Sequence, residues 1–337
     1  MKIHSNHSLK ALNTFGIDVV ANQFFTAKSR KDLIKVAKTY RASNTFVLGG
    51  GSNILLTRNI SKFVVHNQIK GIEIEKEEQD HVVVKFGAGE VWHDCVLWAI
   101  KNDYGGIENL SLIPGYMGAA PIQNIGAYGV ELKDVFESLD LIRLDAIKAE
   151  SYDKEACKFG YRDSIFKSAL KGKFCISHVY LKLTKNNHQI NISYGAITSS
   201  LAEKGITQPS IKDISDVVIA IRKSKLPDPK EIGNSGSFFK NPVLSKEKFL
   251  KLREKYPDVV FYEQADDTIK IPAGWLIEKC GWKGRKVGNT GTHINQALVL
   301  VNYGGASGEE VKQMALKIQD SVQKKYDVLL EMEVNIV

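Results

Sequence analysis

A chain of 337 residues, 43% hydrophobic and 25% charged, has apolar material for two or three folded domains and the composition of an ordinary soluble protein. Its formal charge of +8 is spread along the chain, with acidic residues among the lysines of stretches such as 246–255, so it reads as solvated faces and no nucleic-acid partner is expected. No apolar run reaches membrane length, residues 1–10 hold no signal-peptide centre, and the 4 cysteines (Cys95, Cys157, Cys175, Cys280) show no metal or disulfide spacing, so the expectation is a reduced, cytoplasmic protein without membrane insertion or bound metal.

From the N-terminus, Ser29-Arg-Lys-Asp32 has the form of a capping box, and Leu33, Ile34, Val36, Ala37 and Tyr40 follow at helical spacing, which predicts a helix leading into a buried strand over 45–48. That strand runs into Gly49-Gly50-Gly51-Ser52-Asn53. Three glycines after a strand make a nest of main-chain N–H groups suited to a pyrophosphate, whereas the G-x-G-x-x-G spacing fails at Ile54 and no Gly-Lys-Ser/Thr follows. Residues 72–75 and 82–86 read as a hairpin around the polar turn 77–80. Residues 90–102 read as a helix with Val91, Cys95, Trp98 and Ala99 on one face. His93 on that helix has no cysteine or carboxylate constellation around it in the sequence and reads as hydrogen-bonded or exposed, not catalytic.

Residues 110–129, Leu-Ser-Leu-Ile-Pro-Gly-Tyr-Met-Gly-Ala-Ala-Pro-Ile-Gln-Asn-Ile-Gly-Ala-Tyr-Gly, are too rich in glycine, alanine and proline for an ordinary helix or strand. The glycines permit positive φ, Ala119 and Ala120 keep the surface low, the prolines stiffen the backbone, and Gln123 and Asn124 add donors and acceptors. A purely structural loop is the alternative; long irregular loops in compact domains are usually functional, which favours a large ligand lying here. Further on, 139–144 and 174–183 read as strands and 210–222 as an amphipathic helix, and the proline-braked stretch 225–230 reads as a linker at a domain boundary. The last third reads as an α/β module: helices over 245–256 and 272–280, a strand over 297–301, and a long helix opened by a capping box at Ser307-Gly-Glu-Glu310. The closing stretch alternates, with Val328, Leu330, Met332, Val334 and Ile336 on one side and Glu331 and Glu333 on the other.

Ser-Leu-Ile-Pro-Gly-x-x-Gly-x-x-Pro-Ile-Gln-Asn-Ile-Gly-Ala-Tyr-Gly at 111–129 resembles the flavin-binding segment of the UDP-N-acetylenolpyruvoylglucosamine reductases. The motifs at 48–56, 161–166, 225–229, 233–242 and 330–334 resemble the same family in the same order, and the segment 130–225, which contains Tyr194, resembles its longer type. The resemblance implies an α+β fold with a two-domain FAD-binding unit of the vanillyl-alcohol-oxidase/PCMH type and a C-terminal α/β substrate-binding domain. It divides the chain into 1–70 and 71–225 for the flavin, 226–326 for the substrate, and 327–337 returning as a strand to the active-site cleft. Non-covalent FAD is expected on Gly49, Gly50, Gly51, Ser52, Asn53, Ile113, Gly118, Ala119, Ala120, Gln123, Asn124 and Gly126.

By the same resemblance NADPH is the reducing co-substrate, the enolpyruvyl ether of UDP-N-acetylglucosamine the substrate, and the protein a monomer. Ser237 is then the proton donor, Arg162 the fork for the substrate carboxylate, and Glu333 the neutral acid beside the developing enolate, while Tyr194, Lys225, Asn241 and Gln296 contact the UDP-sugar or NADPH phosphates. Met332 departs from relatives that carry proline there. Two other readings compete: an oxygen-using flavin oxidase of the same fold, which leaves Ser237, Arg162 and Glu333 unexplained together, and a basic nucleic-acid-binding protein, which calls for clustered cations and aromatic platforms that the sequence lacks.

Overall fold

Val82, Val84 and Phe86 alternate with Val83 and Lys85, and this period of two makes His81–Gly87 a strand with one face fully buried in the computed structural model, which describes residues 1–264 and 266–337. It lies inside a five-stranded antiparallel sheet ordered Lys148–Asp153, Phe136–Arg143, Phe174–Thr184, His81–Gly87, Ile72–Glu77, with Val84 opposite Leu181 and Val82 opposite Leu183. Helix Trp92–Lys101 packs Trp92, Cys95, Val96 and Ala99 into the same core, which also takes in Leu110, Met117 and Ala120. Burying one large side chain such as Phe86 contributes about 2 kcal/mol, and this core holds residues 110–129 against the sheet by many such contacts. Within that stretch Met117–Gln123 winds into a 3₁₀ helix containing Pro121, an element the sequence pattern does not announce.

A second sheet, ordered His4–Ser8, Val20–Ala27, Ile60–Asn67, Thr45–Leu48, has its last three strands parallel. Helix Arg30–Thr39, capped by Ser29, buries Leu33, Val36 and Ala37 against Phe25, Phe63 and Val65. Helices Gly195–Glu203 and Ile211–Lys225 pack on each other through Ile197, Leu201, Ile214, Val217, Val218 and Ile221. The second of these runs three residues past the expected end at Arg222, because nothing breaks it before Leu226-Pro227; Lys225 is therefore its last residue and not the first of a linker.

By contact density the chain forms two units, Met1–His7, Val20–Gly51 and Ile60–Ser224 in one, and Ser8–Val19, Ser52–Asn59 and Lys225–Val337 in the other. The second unit has an antiparallel sheet ordered Gly233–Ser237, Val299–Asn302, Thr290–Thr292, Lys286–Val287, with helices Ala273–Lys279 and Gly308–Tyr326. Its two early segments are tied in by main-chain bonds: Asn234 N–H donates to Thr14 O at 3.0 Å, and Thr57 N–H to Val337 O at 2.7 Å. The closing stretch is not one continuous strand. Met332 forms an isolated bridge with Phe239, then Asn335–Ile336 pairs in parallel with Ile54–Leu55, so Val328, Leu330 and Val334 are buried while Ile336 is 37% exposed.

Candidate functional site

In the first unit the N-terminal turn of helix Trp92–Lys101 clamps the start of the 110–129 stretch at three points. Trp92 N–H donates to Gly115 O at 2.9 Å, its indole N–H donates to Leu110 O at 2.8 Å, and the Leu112 N–H donates to His93 Nδ1 at 3.0 Å. Leu112 has φ +58, a conformation that costs a non-glycine residue about 1 kcal/mol, so the His93 bond holds a strained residue in place. His93 is thus hydrogen-bonded, and burial, with help from Arg222 and Lys223, lowers its pKa against the raising influence of Asp94.

The clamp brings the two glycine stretches together. Tyr116 lies on Gly49 and Gly50, and a Cβ on Gly50 would stand 3.0 Å from the Tyr116 ring and 3.1 Å from Gly115 Cα, so position 50 has room for main chain only. Gly118 is equally confined, since its Cβ would be 2.6 Å from that of Ala88. The N–H groups of Met117, Gly118 and Ala119 donate to Glu90, Ala88 and Tyr116 carbonyls, so the 3₁₀ segment offers a ligand shape and close approach, not these donors. Ala119 is exposed and Ala120 faces the core; Ile113 and Gln123 are half-buried. The Asn124 side chain is fully buried at φ +43 and is used internally, donating to Glu131 and Gly160 O and accepting from Lys133 N–H. Lys70 stands 5.4 Å from the centre of the Tyr116 ring, and the His66 ring stacks on it at 6.1 Å, placing a cation beside the glycine nest.

Arg162, at φ +52 in the turn that pairs Gly160 with Asp163, donates from its guanidinium to Gly126 O and, at 3.4 Å, to Asn124 O. The far end of the 110–129 stretch thereby orients the fork. Tyr194 is 45% exposed and sits at the N-cap of helix Gly195–Glu203 with its ring edge-on to Tyr128 at 5.1 Å; it belongs to a helix start and not to the middle of a loop. That helix is only 9 residues long and Tyr194 makes no side-chain cap bond, so no local pattern marks it in the sequence.

In the second unit Ser237 ends strand Gly233–Ser237 opposite Val299 and is exposed. The turn before it is set by Asn234, whose Oδ1 accepts from Gly236 N–H at 2.9 Å while its Nδ2 donates to Pro227 O and Ile232 O. Glu333 N–H donates to Phe238 O at 2.9 Å, which puts the half-buried Glu333 one residue from Ser237 across the bridge. Asn53 reaches the same place, its Nδ2 donating to Glu333 O at 3.4 Å and its carbonyl accepting from Asn335 N–H at 3.1 Å. Asn53 and Ser52 thus fall in the second unit and Gly49, Gly50 and Gly51 in the first. Asn241 Oδ1 accepts from Ala273 N–H at 2.9 Å, at the start of helix Ala273–Lys279, and Gln296 Oε1 accepts from Leu298 N–H at 3.3 Å close to Gly274. Lys225 is exposed.

Thiol chemistry has no place at these positions: Cys95, Cys157 and Cys175 are buried, and burial pushes the thiols of Cys157 and Cys175 up to about 12. Among the described residues no helix is long and apolar enough to cross a membrane. Sequence reasoning missed Trp92, Tyr116, Lys70 and Arg222, and gave His93 no partner; no local pattern marks them, because each acts through a residue distant in the chain.

A family profile described as FAD binding domain matches residues 21–146, a range that includes both glycine stretches, and one described as UDP-N-acetylenolpyruvoylglucosamine reductase, C-terminal domain, matches 228–337. A glycine run packed against a clamped, low-surfaced loop, inside residues that match a flavin-binding domain, defines the class: an FAD-dependent oxidoreductase of α+β architecture with a separate C-terminal domain. Over full length the chain is 51% identical to the UDP-N-acetylenolpyruvoylglucosamine reductase of Flavobacterium johnsoniae and 48% identical to that of Amoebophilus asiaticus, covering 100% of each, and 45% identical to that of Pseudomonas aeruginosa, covering 99%. The crystal structure of UDP-N-acetylenolpyruvylglucosamine reductase (MurB) from Thermus caldophilus shares the fold, with a TM-score of 0.67 at 23% identity over 99% of this chain and 98% of that one. The chain belongs to the UDP-N-acetylenolpyruvoylglucosamine reductase family.

Proposed function

We propose that this protein reduces the enolpyruvyl ether of UDP-N-acetylglucosamine to UDP-N-acetylmuramate, a peptidoglycan precursor, with NADPH as the electron source. FAD, which the Gly49–Gly51 run and the 110–129 stretch would hold without a covalent link, would supply the hydride chemistry that joins NADPH oxidation to reduction of the substrate's methylene carbon. The chain's part is to hold the substrate and manage the charge and proton that remain.

Arg162 binds the substrate carboxylate as a planar, permanently charged fork; its contacts with Gly126 O and Asn124 O keep it from swinging away. Ser237 gives its hydroxyl proton to the carbon next to the carboxylate once hydride has arrived. Glu333, in its neutral form beside that carboxylate, donates a hydrogen bond to the enolate; a nearby anion and removal from water both favour the protonated acid. Lys225 meets phosphate as a point charge, Tyr194 closes on the diphosphate from the start of its helix, and Asn241 and Gln296 add amide donors. The observation that carries the reading is the bond from Glu333 N–H to the carbonyl of Phe238, the residue after Ser237, in a chain at least 45% identical to these three reductases over its whole length.

Rapid mixing, with flavin absorbance followed separately for each half-reaction, tests it. NADPH should bleach the purified yellow protein and the enolpyruvyl substrate should restore the colour. Ser237→Ala should bleach at the normal rate but recover colour at least about 10²-fold more slowly, the usual effect of removing a donor to a developing oxyanion or carbanion. Bleaching slowed as much as recovery would make Ser237 a positioning residue, and rapid recovery by oxygen alone would favour an oxidase. Acid precipitation should release the colour into the supernatant; a yellow pellet would mean a covalent link.

A further inference from the structure

Between strand Phe174–Thr184 and helix Gly195–Glu203 the chain crosses residues 188–193 without regular structure, so side chains take over the holding that a ladder does elsewhere. Asn191 does part of this locally. Its Oδ1 accepts from Ser193 N–H at 3.0 Å and from Ser193 Oγ–H at 2.7 Å, and its Nδ2 donates to Gly129 O at 3.1 Å. The second tie comes from the core. Asn109, 1% exposed in the short helix Glu108–Leu110, donates from Nδ2 to Asn191 O at 2.9 Å and to Tyr128 O at 3.0 Å. One amide therefore joins the crossing segment to the far end of the 110–129 stretch, and two carbonyls on the same atom fix which way it faces.

Asn109 is the rigid member of this set. Glu108 Oε2 accepts from Gly106 N–H at 2.6 Å, and Leu110 O accepts the Trp92 indole N–H, so the residues on both sides of Asn109 are anchored. Its partners are the yielding ones: Tyr128 is held at φ +52, and Asn191 lies in the irregular segment. That segment rests directly on Gly129, at φ +82, where a Cβ would stand 3.1 Å from both Asn191 Nδ2 and Ser193 Oγ. Asn109 Oδ1 is sealed from solvent and has no hydrogen-bond partner. An unpaired buried acceptor costs stability, so a leucine would fill the same space more cheaply; the asparagine contributes its two donors.

We propose that Asn109, with Asn191 as its relay, is the positioning residue for Tyr194. Three residues separate Asn191 from Tyr194, whose ring meets that of Tyr128 edge-on at 5.1 Å, so the amide between Tyr128 O and Asn191 O sets where both rings stand. The inference rests on the reading that Tyr194 meets the diphosphate. With the amide in place the exposed ring is held ready before any ligand arrives; without it each binding event has to order the segment first. Asn109 touches neither cofactor nor substrate in this role, so it acts on binding and leaves the chemical step alone.

Chymotrypsin, which cuts after exposed tyrosines, reads the segment on FAD-loaded protein without any substrate. Asn109→Ala should quicken cleavage after Tyr194 by about 10-fold with FAD still bound. The same variant should raise the Michaelis constants for UDP-sugar and NADPH roughly 5- to 30-fold, the equivalent of two lost hydrogen bonds, with kcat at saturation within about twofold of wild type. A general loss of fold would instead lower kcat and release FAD, and that result counts against the proposal. In a Tyr194→Ala background Asn109→Ala should add nothing to either constant, because a residue that works through Tyr194 has nothing left to position. Unchanged cleavage overturns the proposal, as do constants that stay put when Tyr194→Ala raises them, or effects of the two substitutions that simply add. If Asn109→Ala does not fold, Asn191→Ala, which removes the half-buried relay and leaves the core intact, decides by the same readouts. Faster cleavage combined with a Tyr194→Ala protein of unaltered constants leaves Asn109 as the positioning residue and refutes the placement of Tyr194 at the diphosphate.

Discussion

Replacing His93 by Phe isolates one hydrogen bond at the clamp, because the ring keeps its size and loses only the acceptor for the Leu112 N–H, 3.0 Å away. That N–H is then left without its partner, at a cost of about 1 to 3 kcal/mol, and Leu112 at φ +58 is free to relax towards an ordinary conformation. Since FAD must restore the original geometry to bind, the same energy appears in its affinity, a weakening of roughly 5- to 150-fold. Titration of apoprotein with FAD, read by quenching of flavin fluorescence, measures this. His93→Gln, whose side-chain oxygen can accept, should lie between Phe and wild type. Protonation should imitate the mutation. Burial lowers the folded pKa of His93 below its ordinary 6.5, and the helix N-terminus and Arg222 further disfavour the cation. With the folded pKa depressed, the unfolded chain binds more protons between the two values, so the contribution to stability is complete above 6.5, declines as pH falls towards the folded pKa, and is flat below it. Wild type should lose that stability and FAD affinity on acidification, and His93→Gln should lack this component. A His93→Phe protein with FAD affinity within about twofold of wild type would refute the account of the clamp.

Gly50→Ala should weaken FAD binding, because its Cβ would press on Tyr116 and Gly115 at 3.0 and 3.1 Å, whereas Gly195→Ala, where nothing lies within 4 Å, should be neutral or slightly stabilising; equal effects in flavin titration would sink the cradle. Tyr194→Phe and Lys225→Ala should raise the Michaelis constants for UDP-sugar and NADPH with FAD retained in full, and loss of FAD with unchanged kinetics would show that they serve the cofactor.

Local chemistry was readable from the chain alone. Ser29 accepts from Asp32 N–H and Ser307 forms a complete capping box with Glu310, because a cap is settled within four residues. The alternation at 82–86 announced a half-buried strand, and the glycines at 49–51 and 110–129 announced backbone that something approaches closely, as at Gly50 and Gly118, where only main chain fits. The family motifs carried Ser237, Arg162 and Glu333 by position. What they touch was a different matter. Arg162 is oriented by carbonyls 36 and 38 residues away, Glu333 reaches Phe238 O from the other end of its unit, and Asn124, read as a ligand donor, is consumed by Glu131, Gly160 and Lys133. The membership of Ser8–Val19 and Ser52–Asn59 in the C-terminal unit likewise leaves no local mark, because main-chain bonds such as Thr57 N–H to Val337 O are indifferent to side-chain pattern. Arg222 shows the limit most clearly. In the sequence it is a cation at the polar end of an amphipathic helix, and only the packing of that helix on residues 110–129 seals its Nε. Periodicity reports which face of a helix is apolar; which charge that face carries with it into the interior is decided by where the helix docks.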